Sequence, residues 1–379
     1  MHPAVGDLFL TDLGTAQEAV RSAVVDKRAR SSDSHWRLWL EFCAEHAVDP
    51  WFSEDTDPIP YLQVFAARYR DGRLAPRGNA VRSGTVQDVL RSIGQTYRRM
   101  GSADIRMDSQ GDIDFRLSRQ LRFYTKQDPP PGRVKPVPIQ VVRALLEAAH
   151  LHAQPDDALT AIADMTCLGF YFLMRPGEHT VTADNTPFKV RDVKFYIGMR
   201  HLLPPAVTNA EWQAVTNISL TFTTQKNGVK GEIITHGRSG DPLACPVRAM
   251  VRRVRYLLDH NASPDTPLCT YYLNNHARHV TSNNITTAVR SALALVDPST
   301  LDIAPEDISA RSLRAGGATA LLCAGIDRDT IQLLGRWQSD AMLRYLHVSA
   351  HPVTNRLASA MFSGGSYTFA PGTYVPQAY

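Results

Sequence analysis

The sequence predicts a mainly α-helical protein with one small antiparallel sheet, an α+β fold divided into two domains. Apolar residues recur at helical spacing in the first third of the chain, a proline-rich segment follows, and the remainder contains short alternating segments. The chain has 379 residues, of which 44% are hydrophobic, so it is long enough to form two hydrophobic cores.

Three segments near the N-terminus place apolar side chains on one helical face: Ser34 to His46, Pro60 to Tyr69 and Thr85 to Met100. The first begins at a polar residue, and we expect Asp33 or Ser34 to cap that helix. These segments predict a small helical core, in which the tryptophans of the first segment pack.

Charge is distributed unevenly along the chain. Residues 68–135 contain 15 Lys and Arg against 7 Asp and Glu, whereas residues 1–67 contain 5 against 11. In the third predicted helix, Arg91, Arg98 and Arg99 lie off the apolar stripe. A basic segment of this kind is typical of a nucleic-acid-binding surface, and an ordinary solvated helical face is the alternative.

A proline-rich segment, residues 127–138, separates the two predicted domains. Its five prolines in twelve residues cannot continue a helix, and they favour an extended polyproline geometry. We therefore predict a helical domain over residues 15–126, a linker over 127–138, a second domain over 139–363 and a C-terminal tail over 364–379.

The second domain combines predicted helices with a few strands. Helices are predicted over 139–150, 157–174, 246–259, 281–295, 309–324, 327–335 and 339–347. Strands are predicted over 188–197, 218–224 and 232–235, and a turn containing Asn227-Gly228 joins the last two.

Several classes of protein are disfavoured. The N-terminus lacks the basic start and apolar run of a signal peptide, and the longest apolar stretch is too short for a membrane span. The five scattered cysteines include no C-x-x-C pair, which indicates free thiols and argues against a zinc module. Neither a phosphate-binding loop nor an H-E-x-x-H motif is present, so we expect no cofactor and no metal.

Four distant segments carry residues suited to one reaction on a phosphate. Arg175 follows a long apolar helix, and Lys226 lies at the tip of the predicted hairpin. Arg311 and Arg314 are spaced i, i+3, so we expect them to share a helix face, and Tyr345 follows a Gly-Arg-Trp sequence. Each has an ordinary structural alternative, such as an ion pair between Arg175 and its neighbour Glu178 or a core position for the tyrosine.

The third and fourth segments together resemble the C-terminal signature of tyrosine recombinases, also called phage-integrase-type recombinases. The stretch SLRAGGATALLCAGIDRDTIQLLGRWQSDAMLRYLH is especially similar to recombinases of eukaryotic mobile elements. The N-terminal WRLWLEFC resembles their SAM-like core-binding domain. The resemblance covers about residues 20–350 and is strong over 311–347; it implies a core-binding domain followed by a tyrosine-recombinase catalytic domain.

Four residues match the family's pattern. The resemblance assigns Arg175 as the first catalytic arginine, Lys226 as the hairpin lysine, Arg314 as the second arginine and Tyr345 as the nucleophile. We expect the arginines to hold the phosphate oxygens in bidentate contacts and the lysine to protonate the leaving oxygen.

Two positions depart from the pattern. Arg311 stands where the family has a histidine, and Arg336, nine residues before Tyr345, stands where it has histidine or tryptophan. The adjacent Trp337 is an alternative occupant of the second role. These departures leave the assignment of acid and base open.

The resemblance implies site-specific recombination or integration of double-stranded DNA through a covalent 3′-phosphotyrosine, carried out by a homo-oligomer, a tetramer on DNA. It implies an intracellular protein, nuclear if the host is eukaryotic. A catalytically degenerate DNA-binding protein derived from a mobile-element recombinase is the alternative function. A type IB topoisomerase shares the chemistry and is a third possibility.

Overall fold

The computed structural model describes residues 3–22, 26–53, 55–129, 135–152, 158–182, 187–204, 206–223, 231–296, 301, 303–339, 342–343 and 346. The chain divides into two compact units, Met1–Pro131 and Gly132–Tyr379. This division falls inside the proline-rich segment, and each unit has its own buried cluster of apolar side chains.

The first unit is helical over its described residues. Its helices are α1 (Pro3–Ser22), α2 (Asp26–Glu45), α3 (Ile59–Arg70), α4 (Ser83–Arg99) and α5 (Phe115–Gln127). Helices α2 to α5 enclose the core, in which the Trp39 indole N–H donates a hydrogen bond of 2.9 Å to the Tyr97 hydroxyl. The tryptophan predicted to be a core residue therefore is one, with its polar atom satisfied.

Helix α2 begins earlier than the sequence suggested. We predicted that Asp33 or Ser34 caps this helix, but both lie inside it, and the prediction is wrong. The Asp33 carboxylate lies 3.8 Å from the Arg99 guanidinium of α4, and the Ser32 hydroxyl accepts a hydrogen bond of 3.1 Å from Ser92. Ser32 and Asp33 thus contact α4 as interior residues of α2.

The second unit contains helices and two antiparallel sheets. Its helices are α6 (Ile139–Leu151), α7 (Ala158–Tyr171), α8 (Pro176–His179), α9 (Asn209–Ala214), α10 (Pro246–Asp259), α11 (Ser282–Leu293), α12 (Ser312–Cys323) and α13 (Arg328–Gly335). Its strands are β1 (Val193–Ile197), β2 (Arg200–Leu202), β3 (Asn217–Phe222), β4 (Glu232–Gly237), β5 (Thr270–Leu273) and β6 (His276–His279). The larger sheet has the order β2-β1-β3-β4, and β5 and β6 form a separate hairpin.

The predicted strand pair is present as β3 and β4, which pair from Phe222 with Glu232 to Asn217 with Gly237. The strand predicted over 188–197 is shorter than expected, because a 3-10 turn over Val190–Asp192 precedes β1. In that turn the Asp192 carboxylate accepts the backbone N–H of Lys189 at 2.8 Å, which stabilises the turn instead of an extended strand. The helix predicted over 339–347 lies largely outside the described residues.

Helix α7 is the central helix of the second unit. It packs against α6, α10, α11 and α12, and nine of its fourteen residues are buried. Its one buried carboxylate, on Asp164, is paired with the Arg252 guanidinium at 2.6 Å. Because so many elements fix α7, its C-terminal end is a rigid point on which a site can be built.

Candidate functional site

The site is organised by the C-terminal end of α7. The chain leaves the helix through Leu173, whose φ of +47° is left-handed and ends the helical hydrogen bonding. The carbonyl groups at the end of a helix and just beyond it have no partner within the helix and need external donors. Two arginines from distant parts of the sequence supply donors to the carbonyls of Phe172 and Leu173.

Arg314, in the first turn of α12, is one of these donors. Its residue surface is only 3% exposed, and its Nη1 donates a hydrogen bond of 2.7 Å to the Leu173 carbonyl. Its Nη2 donates to the carbonyl of Gly335, the last residue of α13. The guanidinium carbon lies 4.2 Å from the ring centroid of Trp337, a cation–π contact. Arg314 thus joins the C-terminal ends of two helices.

Arg336 is the second donor, and its side chain has no exposed surface. Its Nη1 donates to the Phe172 carbonyl at 3.0 Å, and its Nη2 donates to the Leu173 carbonyl at 3.2 Å and to Glu178 Oε2 at 3.0 Å. The guanidinium carbon lies 3.7 Å from the centroid of the Phe222 ring. Burial lowers the pKa of Arg336 to about 10, so the side chain keeps its positive charge at neutral pH.

Arg175 lies directly after the end of α7 and precedes the short helix α8. Its Nη1 donates to Glu178 Oε1 at 2.9 Å, and its backbone N–H donates to Glu178 Oε2 at 2.7 Å. The ion pair anticipated as the structural alternative for Arg175 is therefore present. The Arg175 side chain is 29% exposed, so its guanidinium still reaches solvent, in contrast to the side chain of Arg336.

His179 binds the backbone carbonyl of Arg175. Its Nδ1 lies 2.9 Å from the Arg175 carbonyl oxygen, and because a carbonyl can only accept, Nδ1 carries the proton. Burial lowers the pKa of His179 to about 4, so the ring is neutral at physiological pH. Nothing in the sequence singled out His179, and Glu178 was noted only as a partner of Arg175. The spacing of Glu178 after Arg175 is the signal that could have identified Glu178 as a site residue.

Two of the predicted site residues, Lys226 and Tyr345, lie outside the described residues. Lys226 belongs to the connection between β3 and β4, and Phe222 at the end of β3 contacts Arg336. On either side of Tyr345, Met342 and Leu346 are buried in a cluster that contains Leu173 and Trp337. Phe222 thus contacts Arg336, and Met342 and Leu346 lie in the same apolar cluster as Trp337, whose ring packs against the Arg314 guanidinium.

Arg311 and Trp337 occupy different surroundings. Arg311 immediately precedes α12, is exposed and makes no hydrogen bond or ion pair within the described part of the chain. Trp337 is buried beneath the Arg314 guanidinium. The expected pair Arg311 and Arg314 thus consists of one exposed and one buried side chain, and a shared phosphate contact stays a prediction.

A cavity of about 260 Å³ adjoins this cluster. It is lined by Glu178, Pro187, Phe188, Lys189, Arg191, Asp192 and Thr223. The Lys189 and Arg191 side chains both pair with the Asp265 carboxylate, at 2.7 and 2.9 Å, so two cations share one anion beside Glu178. The cavity lining therefore contains two basic side chains, Lys189 and Arg191, and two acidic ones, Glu178 and Asp192.

Within the described ranges there is no group of three or more His, Cys, Asp or Glu side chains that could hold a metal ion. No described helix combines the length and the apolar character that crossing a membrane requires.

Comparison with solved structures gives a match over nearly the whole chain. The Tn1549 transposon integrase, in complex with a circular intermediate DNA, is 12% identical and has a TM-score of 0.51; 92% of this chain and 98% of that one are covered. The XerH site-specific recombinase bound to a palindromic difH substrate is also 12% identical, with a TM-score of 0.49 and coverage of 87% and 79%.

No family model matches the sequence, and no curated protein matches it either. The identity to the solved structures is low, so the likeness concerns the fold. The predicted fold class, mainly α with a small antiparallel sheet, is confirmed, and the chain has the fold of the Tn1549 transposon integrase.

Proposed function

We propose that this chain is a tyrosine recombinase, which cleaves and rejoins DNA strands in site-specific recombination or integration through a covalent 3′-phosphotyrosine at Tyr345. The observation that carries the proposal is the convergence of Arg175, Arg314 and Arg336 at the end of α7, in a fold shared with an integrase bound to DNA. Phe222, which ends the strand before the segment of Lys226, contacts Arg336. Met342 and Leu346, on either side of Tyr345, lie in one apolar cluster with Trp337, which packs against Arg314.

In the proposed reaction the Tyr345 oxygen attacks phosphorus, a P–O bond to tyrosine forms and the bond to the 5′ oxygen breaks. The departing 5′ oxygen takes a proton, which Lys226 donates as general acid. The phosphodiester is kept as a protein–DNA ester, so attack by a 5′ hydroxyl on that ester rejoins the strand without ATP. Charge on the non-bridging oxygens is stabilised by Arg175 and Arg314, the two arginines that match the family's pattern.

Arg175 is the best candidate for direct contact with the phosphate. Glu178 occupies only its Nη1, and its Nε and Nη2 have no partner among the described residues. A guanidinium held by a carboxylate on one edge is pre-oriented to bind an anion with the other. Arg311, exposed at the start of α12, is proposed as a further phosphate ligand in place of a histidine.

The proposed partner is double-stranded DNA, bound by a homo-oligomer that is a tetramer on its substrate. Exposed arginines on α4 and α5 give the first unit a surface suited to phosphate contacts; they are Arg91, Arg98, Arg99, Arg119 and Arg122.

A protein that recombines DNA acts inside the cell, in the nucleus if its host is eukaryotic. Its proposed source is a mobile element.

A second function, DNA binding without chemistry, is favoured by one observation. The Nη groups of Arg314 and Arg336 donate to backbone carbonyls and Glu178, which reduces their capacity to hold a phosphate. A descendant of a recombinase that had lost catalysis would keep these structural bonds. Only a cleavage assay separates the two functions.

The test uses a pool of nicked duplexes with randomised sequence, from which protein–DNA adducts are isolated after denaturation. We expect the parent to form an adduct with or without EDTA, and Tyr345→Phe to form none while still shifting DNA on a native gel. An adduct that survives Tyr345→Phe would exclude Tyr345 as nucleophile. Loss of the adduct in EDTA with recovery in Mg²⁺ would contradict the metal-free mechanism, and binding without any adduct would establish the second function.

A further inference from the structure

Arg336 has a backbone conformation that a residue with a side chain seldom adopts. It follows α13 with φ of +57° and ψ of +42°, the left-handed position at which glycine or asparagine usually ends a helix. Glycine would be favoured there if only the backbone mattered. The side chain must therefore provide an interaction that offsets the conformational cost.

That interaction is a set of bonds to three separate segments. Through its two Nη groups Arg336 reaches the Phe172 and Leu173 carbonyls at the end of α7, the Leu334 carbonyl of α13, and Glu178 Oε2. Helix C-termini carry partial negative charge, so a cation between two of them is electrostatically favourable. Arg336 holds the ends of α7 and α13 together.

Glu178 connects these bonds to Arg175, the best candidate for direct contact with the phosphate. Its Oε2 accepts from Arg336 and from the backbone N–H of Arg175, and its Oε1 accepts from the Arg175 guanidinium. A single carboxylate thus connects a fully enclosed arginine to a partly exposed one. The side chain of Arg336 has no exposed surface, which leaves no path for a phosphate to reach it.

We propose that Arg336 is a positioning residue, which sets the orientation of Arg175 through Glu178 and fixes it relative to the chain that leads from α13 to Tyr345. This inference rests on the proposed function, because it assumes that Arg175 and Tyr345 act on one phosphate. It assigns to Arg336 neither proton transfer nor phosphate binding. Its effect depends on the forked guanidinium, since a lysine has the charge but cannot reach three segments at once.

The first measurement is hydrogen–deuterium exchange of the full chain without DNA, read on the peptide from Leu173 to His179. Arg336→Gly suits the left-handed backbone and removes only the side chain. Because Glu178 then loses its bond to Arg336, we expect faster exchange at the Arg175 amide, which donates to the same carboxylate. Free guanidinium, far below its denaturing concentration, should restore protection, whereas sodium chloride at equal ionic strength should not. Arg336→Lys should also exchange faster, and Leu333→Ala, at an exposed residue of α13, should match the parent.

The second measurement is single-turnover adduct formation. We expect Arg336→Gly and Arg336→Lys to lose about 10²-fold in rate with unchanged DNA affinity, because small displacements of a catalytic group have effects of this size. Guanidinium should recover part of the rate of Arg336→Gly. If that variant does not fold, Glu178→Gln breaks the same connection from the other side and should raise exchange in the same peptide.

The outcomes separate the inference from the proposed function. If Arg336→Gly exchanges at the parental rate, the inference is overturned. Where Glu178→Gln replaces that variant, parental exchange in Glu178→Gln has the same meaning. An Arg336→Lys variant identical to the parent in both assays would also overturn the inference. A parent that forms no adduct would overturn the proposed function instead, and the exchange data would still decide whether Arg336 orders the Arg175 segment.

Discussion

The arginines of the site differ most in their access to solvent. Arg314 and Arg336 are buried and bonded to carbonyls, Arg175 is partly exposed, and Arg311 is exposed. The Nη groups of this inner pair donate to carbonyls at helix ends, so the pair is suited to fixing those ends. The outer pair has donors available for a ligand such as a phosphate.

The residue with the clearest single test is Arg311. Arginine donates several hydrogen bonds but stays protonated, so it can stabilise charge and cannot accept the proton of Tyr345. We predict that Arg311→Ala lowers single-turnover adduct formation by about 10²-fold or more. Arg311→His should be tolerated, or be faster at pH 7, because it restores a proton acceptor.

The pH profile supplies an independent check on Arg311. With arginine at this position, deprotonation of Tyr345 falls to water or to a neighbour, so the parental rate should rise with pH through the alkaline range. The histidine variant should depend less on pH there. If Arg311→Ala cleaves like the parent, Arg311 is only a surface charge, and the site reduces to Arg175, Lys226, Arg314 and Tyr345.

At the scale of elements, close packing of α12 on α7 brings Arg314 to the Leu173 carbonyl. The approach is permitted by Gly317: a Cβ at that position would lie 2.3 Å from the Phe170 carbonyl oxygen and 2.4 Å from Leu173 Cδ2. A backbone oxygen cannot move aside as a flexible side chain can. Glycine at position 317 is thus required by the helix contact that positions the arginine.

We predict that Gly317→Ala destabilises the second unit by about 1–3 kcal/mol, because it inserts a methyl group into a filled contact. It should also slow adduct formation by displacing Arg314. The matched control is Gly84→Ala in α4, where a Cβ meets nothing within 4 Å and should stabilise by about 0.4–1 kcal/mol. Calorimetry of the full chain measures both, and equal melting of parent and Gly317→Ala would contradict the packing argument.

Some elements were predictable from local sequence and some were not. Helix α10 has the predicted bounds of 246–259, because a proline at its start and a regular apolar stripe mark it clearly. The β5–β6 hairpin was not predicted. Its turn contains Asn274 and Asn275, which both adopt the positive φ that a tight hairpin turn requires. Helix α5 was also missed, despite the Asp114 side chain that caps it.

For the whole molecule we predict that limited proteolysis cuts between Gln127 and Pro138, giving a helical N-terminal fragment and a larger C-terminal one. Trypsin should act at Arg133, since Lys135 precedes a proline and its backbone N–H and ammonium group both bind Asp307, each at 3.1 Å. Each fragment should bind DNA more weakly than the intact chain and with a shallower salt dependence, because it neutralises fewer phosphates.

Binding isotherms at several salt concentrations measure this difference for the two purified fragments and the intact chain. A C-terminal fragment that binds as tightly as the whole chain would show that the basic segment 68–135 is not a DNA surface. A cut confined to other segments would contradict the predicted linker.

The sequence by itself determined the fold class and the order of the candidate residues, because helical and strand periodicity, proline content and motif spacing are local properties. Only the tertiary structure decided that Arg314 and Arg336 turn inward to the end of α7 while Arg311 remains exposed. Those bonds join residues more than a hundred positions apart, and their partners are backbone carbonyls that every residue possesses. Which carbonyl lacks a partner depends on where a helix ends and what packs there, and no local pattern encodes that.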